Sequence, residues 1–157
     1  MGENKIDKPT TTRKVIICRG LPWPASGKSF FAKQWVPEDP INRVRINMDD
    51  IRNMLGKYWV PERESLVREI QLQIFISCIN NLKDIIIDNT NMNPKAVEVL
   101  IEAIKDTGYV VEYKDFFDTP LSVCIERDNK RENPVGEKVI RNFFEKYKNK
   151  YPLNNDW

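Results

Sequence analysis

The chain has 157 residues, the usual size of one compact domain, and 41% of them are hydrophobic and 31% charged. This composition supplies a packed interior and a solvated surface, and it argues against disorder of the whole chain. The sequence contains no histidine, which excludes serine–histidine and cysteine–histidine catalysis, histidine-ligated zinc and imidazole switching. Acid–base chemistry must therefore use carboxylates, lysines or tyrosines.

The remaining bulk properties favour a cytoplasmic protein. Its three cysteines have no metal-binding spacing, and Cys18 and Cys78 lie in apolar runs, as expected of buried free thiols in a reducing compartment. No apolar stretch approaches the ~20 residues of a membrane helix, and residues 1–13 form a polar leader without a signal-peptide core. We expect no membrane association and one domain over residues 14–157.

Predicted strands and helices alternate along the chain. Strands are predicted at 14–18, 43–46, 85–87 and 109–117, and helices at 28–35, 49–55, 62–82, from 94 to a stop at Gly108, 120–128 and 139–147. The strands are short and apolar, as in a parallel sheet covered on both faces. The pattern predicts an α/β fold: a doubly wound parallel sheet with flanking helices. Ligands of such sheets bind at the carboxyl ends of the strands.

The longest predicted helix, over 62–82, carries an apolar stripe. Apolar residues recur at every fourth position, at Leu66, Ile70, Ile74, Cys78 and Leu82. This spacing is typical of one helix face that packs on a core.

A phosphate-binding loop is predicted directly after the first strand. Ser26-Gly27-Lys28-Ser29 follows a glycine-bearing loop and opens a helix. In a P-loop, backbone N–H groups and the helix N-terminus hold phosphate oxygens, while the lysine and the hydroxyl serve phosphate and magnesium. The alternative is that these residues only form the start of a helix.

The spacing of this loop is irregular. Six residues separate Gly20 from Gly27, whereas the usual pattern has four. Deleting Trp23-Pro24 would leave a regular P-loop, so we interpret these two residues as a bulge in the first half of the loop. Trp23 either stacks on a base or covers the loop.

A carboxylate and an arginine follow the second strand. If a helix begins there, Asp49 and Arg52 project from the same face. A carboxylate at a strand end can accept a proton from an attacking hydroxyl, and an arginine can hold a phosphate in a bidentate fork. The alternative is a helix cap with an ordinary surface ion pair.

Together these motifs resemble the kinase domain of bacteriophage-type polynucleotide 5′-hydroxyl kinases and, more broadly, the P-loop kinases. The resemblance covers about residues 15–151 and implies that the doubly wound sheet is of the P-loop NTPase type. It is carried by Gly27-Lys28-Ser29, Asn47-x-Asp49-Asp50-x-Arg52, Asp88-Asn89-Thr90-Asn91-x-Asn93-Pro94 and Arg127-x-x-x-Arg131, in that order.

The resemblance implies a phosphate donor site and a general base. Asp49 would activate the acceptor hydroxyl, Lys28 would lie on the β- and γ-phosphates, and Arg131 would reach the γ-phosphate from a lid. ATP or another NTP would be the donor, with Mg²⁺ on Ser29. The donor-binding residues implied are Ser26, Gly27, Lys28, Ser29, Phe30, Arg127 and Arg131.

The resemblance also implies an acceptor channel. Arg52 would bind the phosphate next to the attacked end, and Thr90 with its neighbours Asp88, Asn89 and Asn91 would line the channel. The phage-type pattern has aspartate immediately before the threonine, whereas this chain has Asn89 there. Three roles for Asp88 therefore stay open: it faces the acceptor, it supports the metal, or it caps a turn.

The acceptor and the partners are expectations at this point. Residues 127–150 contain eight basic and four acidic residues, which is either a nucleic-acid backbone surface or a solvated helix face. The leading hypothesis is transfer of the γ-phosphate to the 5′-OH ends of DNA or RNA in end repair, by a possible homo-oligomer. The alternatives are a kinase of a small hydroxyl compound (a nucleoside, sugar or antibiotic) and a nucleotide-binding module without turnover.

Overall fold

The computed structural model describes residues 12–21, 26–132 and 134–155. In this part of the chain four strands form one parallel sheet in the order β2-β3-β1-β4. The strands are β1 (Lys14–Gly20), β2 (Arg43–Ile46), β3 (Asp84–Ile87) and β4 (Val110–Phe116). The helices are α1 (Lys28–Trp35), α2 (Met48–Met54), α3 (Glu64–Asn80), α4 (Pro94–Ala103), α5 (Leu121–Asn129) and α6 (Glu137–Tyr147). The predicted P-loop NTPase-type α/β fold is confirmed.

Both faces of the sheet are covered, which explains why its inner strands are continuously apolar. Val15 and Ile17 of β1 point into a core shared with α3 and α4. Ile16 and Cys18 point to the opposite face, where Ala32 of α1 packs on them. Because side chains alternate along a strand, a strand between two helical layers needs apolar residues at every position.

Helix α3 buries a different face from the predicted one. Its buried residues at every fourth position are Val67, Gln71, Phe75 and Ile79. The predicted stripe is wrong as a buried face, because Leu66 is 43% and Ile74 37% exposed. The two rows lie one residue apart along the helix. The row that packs against the sheet contains the large Phe75 ring, although it also contains the polar Gln71.

Most predicted boundaries hold within two residues, with one exception. Helix α4 begins at Pro94 behind its Asn93 cap, as predicted, but it ends at Ala103 rather than at Gly108. Asp106 and Gly108 both have left-handed backbones, at φ of 64° and 84°, so the chain has already left the helix before the glycine. The predicted bulge at Trp23-Pro24 and most of the polar leader lie outside the described residues.

Helices α5 and α6 form a separate layer beside the strand ends. Leu121 and Ile125 of α5 pack against Ile140 and Phe144 of α6 in one apolar cluster. The connection between the two helices is closed by Asp128, whose buried carboxylate accepts hydrogen bonds from the backbone N–H groups of Val135 and Gly136. None of the described helices is long and apolar enough to cross a membrane.

Candidate active site

The carboxyl ends of β2 and β3 and the start of α1 open into a cavity of about 590 Å³. Its lining includes Lys28, Asp88 at the end of β3, and Asp49 and Arg52 of α2. Val139 and Phe143 of α6 contribute apolar surface to the same cavity. The cavity therefore brings together side chains from motifs that are up to about sixty positions apart in the chain.

Lys28 is almost completely buried, with 1% of its surface exposed. Its ammonium donates to the carbonyl of Leu21 and to Ser26 Oγ, the latter at 2.9 Å. Burial lowers the pKa of Lys28 to about 8, against the opposing charge of Asp88. Gly27, just before it, has a φ of 96°, which residues with a Cβ rarely adopt. The loop thus directs a buried cation toward the cavity and holds it with its own oxygens.

Asp88 stands at the end of β3 with 1% of its surface exposed. Its Oδ2 accepts a hydrogen bond from Arg45 Nε at 2.7 Å, whereas its Oδ1 has no hydrogen-bond partner among the described residues. An unsatisfied buried carboxylate oxygen is costly and is expected to have a ligand. Of the three roles left open for Asp88, this geometry favours the two in which it faces a bound group over the turn cap.

No cluster of three or more metal-ligating side chains occurs in the described part of the chain. Mg²⁺ does not require one, because it usually keeps several waters and takes one or two protein ligands besides substrate phosphates. The free oxygen of Asp88 and the hydroxyl of Ser29, in the first turn of α1, fit that sparse protein contribution.

Asp49 and Arg52 form the predicted pair on one face of α2. Arg52 Nη1 donates to Asp49 Oδ1 at 2.6 Å. The same guanidinium makes a two-point contact with Glu64 at the start of α3, at 2.9 and 2.7 Å. This hydrogen bonding lowers the pKa of Glu64. Arg52 is thus held by two carboxylates and exposes little of its side chain.

Two residues that contact this pair were missed at the sequence level. Glu64 contacts Arg52 from twelve positions further on, and Tyr58 Oη donates to Asp49 Oδ1 at 2.7 Å from nine positions further on. Neither residue belongs to a short motif. Tyr58 lies between two predicted helices, and Glu64 lies in the first turn of the predicted helix 62–82. Their polarity alone does not distinguish them from ordinary surface residues.

The third motif divides into cavity-lining and structural residues. Asn89 and Thr90 line the cavity. The Asn89 amide is fully engaged, since its Oδ1 accepts from Met48 N at 2.9 Å and its Nδ2 donates to Gln71 Oε1 at 2.7 Å. Asn91 is buried with a φ of 52° and donates to the carbonyls of Cys18 and Ile87, so it ties β1 to β3 instead of reaching the cavity.

The two predicted lid arginines lie on and just after α5. Arg131 Nη1 is 3.7 Å from Asp128 Oδ1. Burial and the hydrogen bond to Asp49 raise the pKa of Tyr58, and the positive charges of Arg52 and Arg131 oppose this rise. Burial likewise raises the pKa of Cys124 to about 11, with Lys28 and Arg127 opposing it. The residues that line the cavity include neither Arg127 nor Arg131.

Two other predicted donor-site residues lie at the start of α1. Ser29 is half-buried there, whereas Phe30 is 69% exposed. The structure therefore gathers Lys28, Asp49, Arg52, Asp88, Asn89 and Thr90 around one cavity and leaves Phe30 on the surface.

A buried lysine at the head of the first helix, after a glycine-bearing loop, and a carboxylate at the end of a neighbouring parallel strand are the arrangement of a P-loop kinase domain. The chain belongs to the AAA_33 family of AAA domains, whose model matches residues 15–153.

Known relatives and structures agree with this class. The L-seryl-tRNA(Sec) kinase of Methanococcus maripaludis is 28% identical over 138 residues, which are 85% of this chain and 52% of that protein. One structure of the Pnkp1/Rnl/Hen1 complex matches with a TM-score of 0.65 and 26% identity over 77% of this chain and 40% of that one. Another, of the Pnkp1/Rnl/Hen1 RNA repair complex, matches with a TM-score of 0.73 and 24% identity over 94% and 49%. The chain spans about half the length of these relatives.

Proposed function

We propose that the protein transfers the γ-phosphate of ATP, or of another NTP, to the 5′-hydroxyl end of a polynucleotide, with Mg²⁺. The observation that carries the proposal is that one cavity is lined by Lys28, by Asp88, whose Oδ1 has no hydrogen-bond partner among the described residues, and by Asp49, which is bonded to Arg52. A donor phosphate and an acceptor hydroxyl can meet between these groups.

The donor end of the cavity supplies charge. Lys28 would bind the β- and γ-phosphates, Ser29 and Asp88 would hold Mg²⁺ with its waters, and Arg131 would approach the γ-phosphate from the lid. Phosphoryl transfer depends mainly on positioning and on stabilising the charge of the equatorial oxygens. Mg²⁺ bound there would neutralise charge on the phosphates.

The acceptor end supplies a base and an anchor. Asp49 accepts the proton of the hydroxyl as its oxygen bonds to the γ-phosphorus; the bond from phosphorus to the β–γ bridging oxygen breaks, and the nucleoside diphosphate leaves. Arg52 would hold the phosphate that follows the attacked nucleoside. Thr90, beside them, would contact the same nucleotide.

The walls of the cavity favour an acceptor that carries an aromatic base. Trp59, Val139 and Phe143 present apolar surface next to the Asp49–Arg52 pair, and a nucleobase can stack there. A small sugar would leave this surface exposed to water. The name of one matched structure, an RNA repair complex, supports RNA as the polymer. The kinase relative is named for a different RNA-linked substrate, L-seryl-tRNA.

The experiment that tests this function offers γ-labelled ATP with a panel of hydroxyl acceptors. The panel contains 5′-OH oligonucleotides of RNA and DNA, nucleosides, sugars and small alcohols. We expect label on the oligonucleotides, and with Asp49→Asn we expect no transfer but an ATP affinity within a few-fold of wild type. Asp50→Asn is the matched control, since the Asp50 side chain is 63% exposed and pairs with Arg45.

Other outcomes identify the alternatives. Faster labelling of a nucleoside or sugar than of any oligonucleotide would replace the polynucleotide with a small acceptor. ATP binding without labelling of any hydroxyl would make the protein a nucleotide-binding module.

A further inference from the structure

Tyr58 lies outside every motif of the sequence, yet its hydroxyl contacts the candidate base. It belongs to the segment between α2 and α3, and its Oη donates to Asp49 Oδ1 at 2.7 Å. The same oxygen accepts a second hydrogen bond from Arg52 Nη1 at 2.6 Å. Two donors from two different parts of the chain thus meet on a single carboxylate oxygen.

We propose that Tyr58 is a positioning residue that orients the Asp49 carboxylate so that Oδ2 receives the proton of the acceptor hydroxyl. The inference rests on the proposed function, because it assigns a geometry to the base of that reaction. Asp49 Oδ2 is then the oxygen that accepts the proton, and Tyr58, by binding Oδ1, determines this choice.

The valence of the carboxylate supports this assignment. Each carboxylate oxygen offers about two lone-pair positions, and Tyr58 and Arg52 occupy both of those on Oδ1. The terminal torsion of an aspartate is broad, so a single donor would leave the carboxylate free to swing about the bond to its Cβ. Donors from α2 and from the following segment together restrict that torsion.

The segment that carries Tyr58 is itself anchored. Arg63 donates to the carbonyl of Leu55 at 3.1 Å and also to that of Lys57, on the two sides of Gly56, whose φ is 115°. Arg52 is fixed independently by its two bonds to Glu64. Other hydrogen bonds therefore hold both the segment of Tyr58 and the guanidinium of Arg52, so the positions of both donors to Asp49 Oδ1 are restricted.

The protonation state of Tyr58 fits a donor. Burial and the hydrogen bond to Asp49 raise its pKa, so the hydroxyl keeps its proton throughout the neutral range and does not compete with Asp49 as a base.

The test is Tyr58→Phe, which removes only the hydroxyl. We expect kcat for a 5′-OH oligonucleotide to fall about tenfold, the loss expected for one hydrogen bond to a charged group, while KM for ATP and for the oligonucleotide stay within twofold. Tyr113→Phe is the matched control, because Tyr113 is similarly exposed (45% against 39% for Tyr58) and stacks on Arg19 away from the cavity. We expect it to leave kcat unchanged.

The possible results separate this inference from the function on which it rests. If wild-type protein labels no acceptor, both fail. If wild type is active and Tyr58→Phe has unchanged kcat, or only a raised KM for the oligonucleotide, the positioning role is wrong and the proposed function stands. Phosphate found covalently on Tyr58 after incubation with ATP would also overturn it, because the hydroxyl would then be an acceptor. A melting temperature within about 2 °C of wild type establishes that the variant is folded.

Discussion

The ammonium group of Lys28 is buried away from solvent. Its ammonium is held by a backbone carbonyl and by Ser26 Oγ, and burial lowers its pKa to about 8. At neutral pH most molecules keep the charge, but above pH 8 the neutral form becomes dominant. Incoming phosphates would bind the ammonium form and therefore favour its protonation.

We predict that the affinity for Mg²⁺-ATP falls as the pH rises above 8 and approaches a tenfold loss per pH unit. Only the protonated lysine attracts the phosphates, so binding above pH 8 must take up a proton. Isothermal titration calorimetry between pH 7 and 10 measures both the affinity and the proton uptake. Lys28→Arg should bind more weakly at pH 7 but without this pH dependence, and the same flat profile in wild type would show that the buried lysine stays charged.

A second residue-level prediction concerns Glu64, which holds Arg52 from α3. Glu64→Gln removes the charge and the two-point contact, so Arg52 should lose its fixed orientation. We expect KM for a 5′-OH oligonucleotide to rise about tenfold and KM for ATP to stay unchanged in steady-state kinetics. Glu69→Gln, on the exposed side of the same helix, serves as control; equal effects of the two substitutions would remove Glu64 from the site.

Sequence reasoning predicted the contacts between those candidate-site residues whose spacing is set inside one element. Asp49 and Arg52 are one helical turn apart, so their pairing follows from helix geometry alone. Tyr58 and Glu64 reach the same carboxylate and guanidinium only because the chain turns back after α2. No local pattern encodes that turn, apart from Gly56 with its positive φ. Asn91 illustrates the converse, since its motif placed it near an acceptor whereas its amide ties two strands together.

At the level of the element, α3 shows how an apolar repeat can predict a buried face that lies one residue away from the face that packs. Leu66, Ile70, Ile74 and Cys78 form a better apolar row than the one that packs, because the packed row contains Gln71. The helix faces the sheet with Phe75 and Ile79, whose side chains are fully buried. Gln71 is tolerated there because Asn89 satisfies its oxygen.

A pair of substitutions tests which face of α3 is buried. Phe75→Ala should lower the free energy of unfolding by about 3–5 kcal/mol, because it leaves a cavity in the core. Ile74→Ala, one residue earlier and 37% exposed, should change it by less than about 1 kcal/mol. Urea denaturation followed by circular dichroism gives both values, and a larger loss for Ile74→Ala would restore the stripe that the sequence favoured.

At the level of the whole molecule, the fold was predictable because the inner strands β1 and β3 are short runs that are apolar on both faces and because helices separate the strands along the chain. The strand order β2-β3-β1-β4 was not, since nothing local states which strands are neighbours. This order matters for the site: β3 lies between β1 and β2, so Asp88 at its end comes between the loop after β1 and the start of α2. Three motifs thereby line one cavity.

The charge of the molecule is more balanced than residues 127–150 suggest. Lys130 pairs with Glu126, Arg141 with Glu137 and Lys148 with Glu145, each within one helical turn. Such exposed pairs contribute little to stability. They reduce the local positive field, so contact with a nucleic-acid backbone would involve only a few of the eight basic residues.

We therefore predict a modest salt dependence of the acceptor reaction. With about three phosphate contacts to a single strand, KM for a 5′-OH oligonucleotide should rise roughly twentyfold between 50 and 200 mM salt. KM for a nucleoside 3′-monophosphate, which carries one phosphate, should change only a few-fold. Steady-state assays at four salt concentrations give the two slopes, and equal slopes would exclude contacts beyond the first phosphate.

The amide of Asn89 joins Gln71 in the core row of α3 to the first backbone N–H of α2, the helix that carries Asp49. Changing Gln71 to leucine would fill the same space but remove the acceptor of the half-buried Asn89 amide, and changing Asn89 alone would leave the buried Gln71 oxygen without its donor. Positions 71 and 89 are thus under a shared constraint. In an alignment of this family we expect them to vary together, although position 89 lines the candidate cavity and position 71 is buried in the core row of α3.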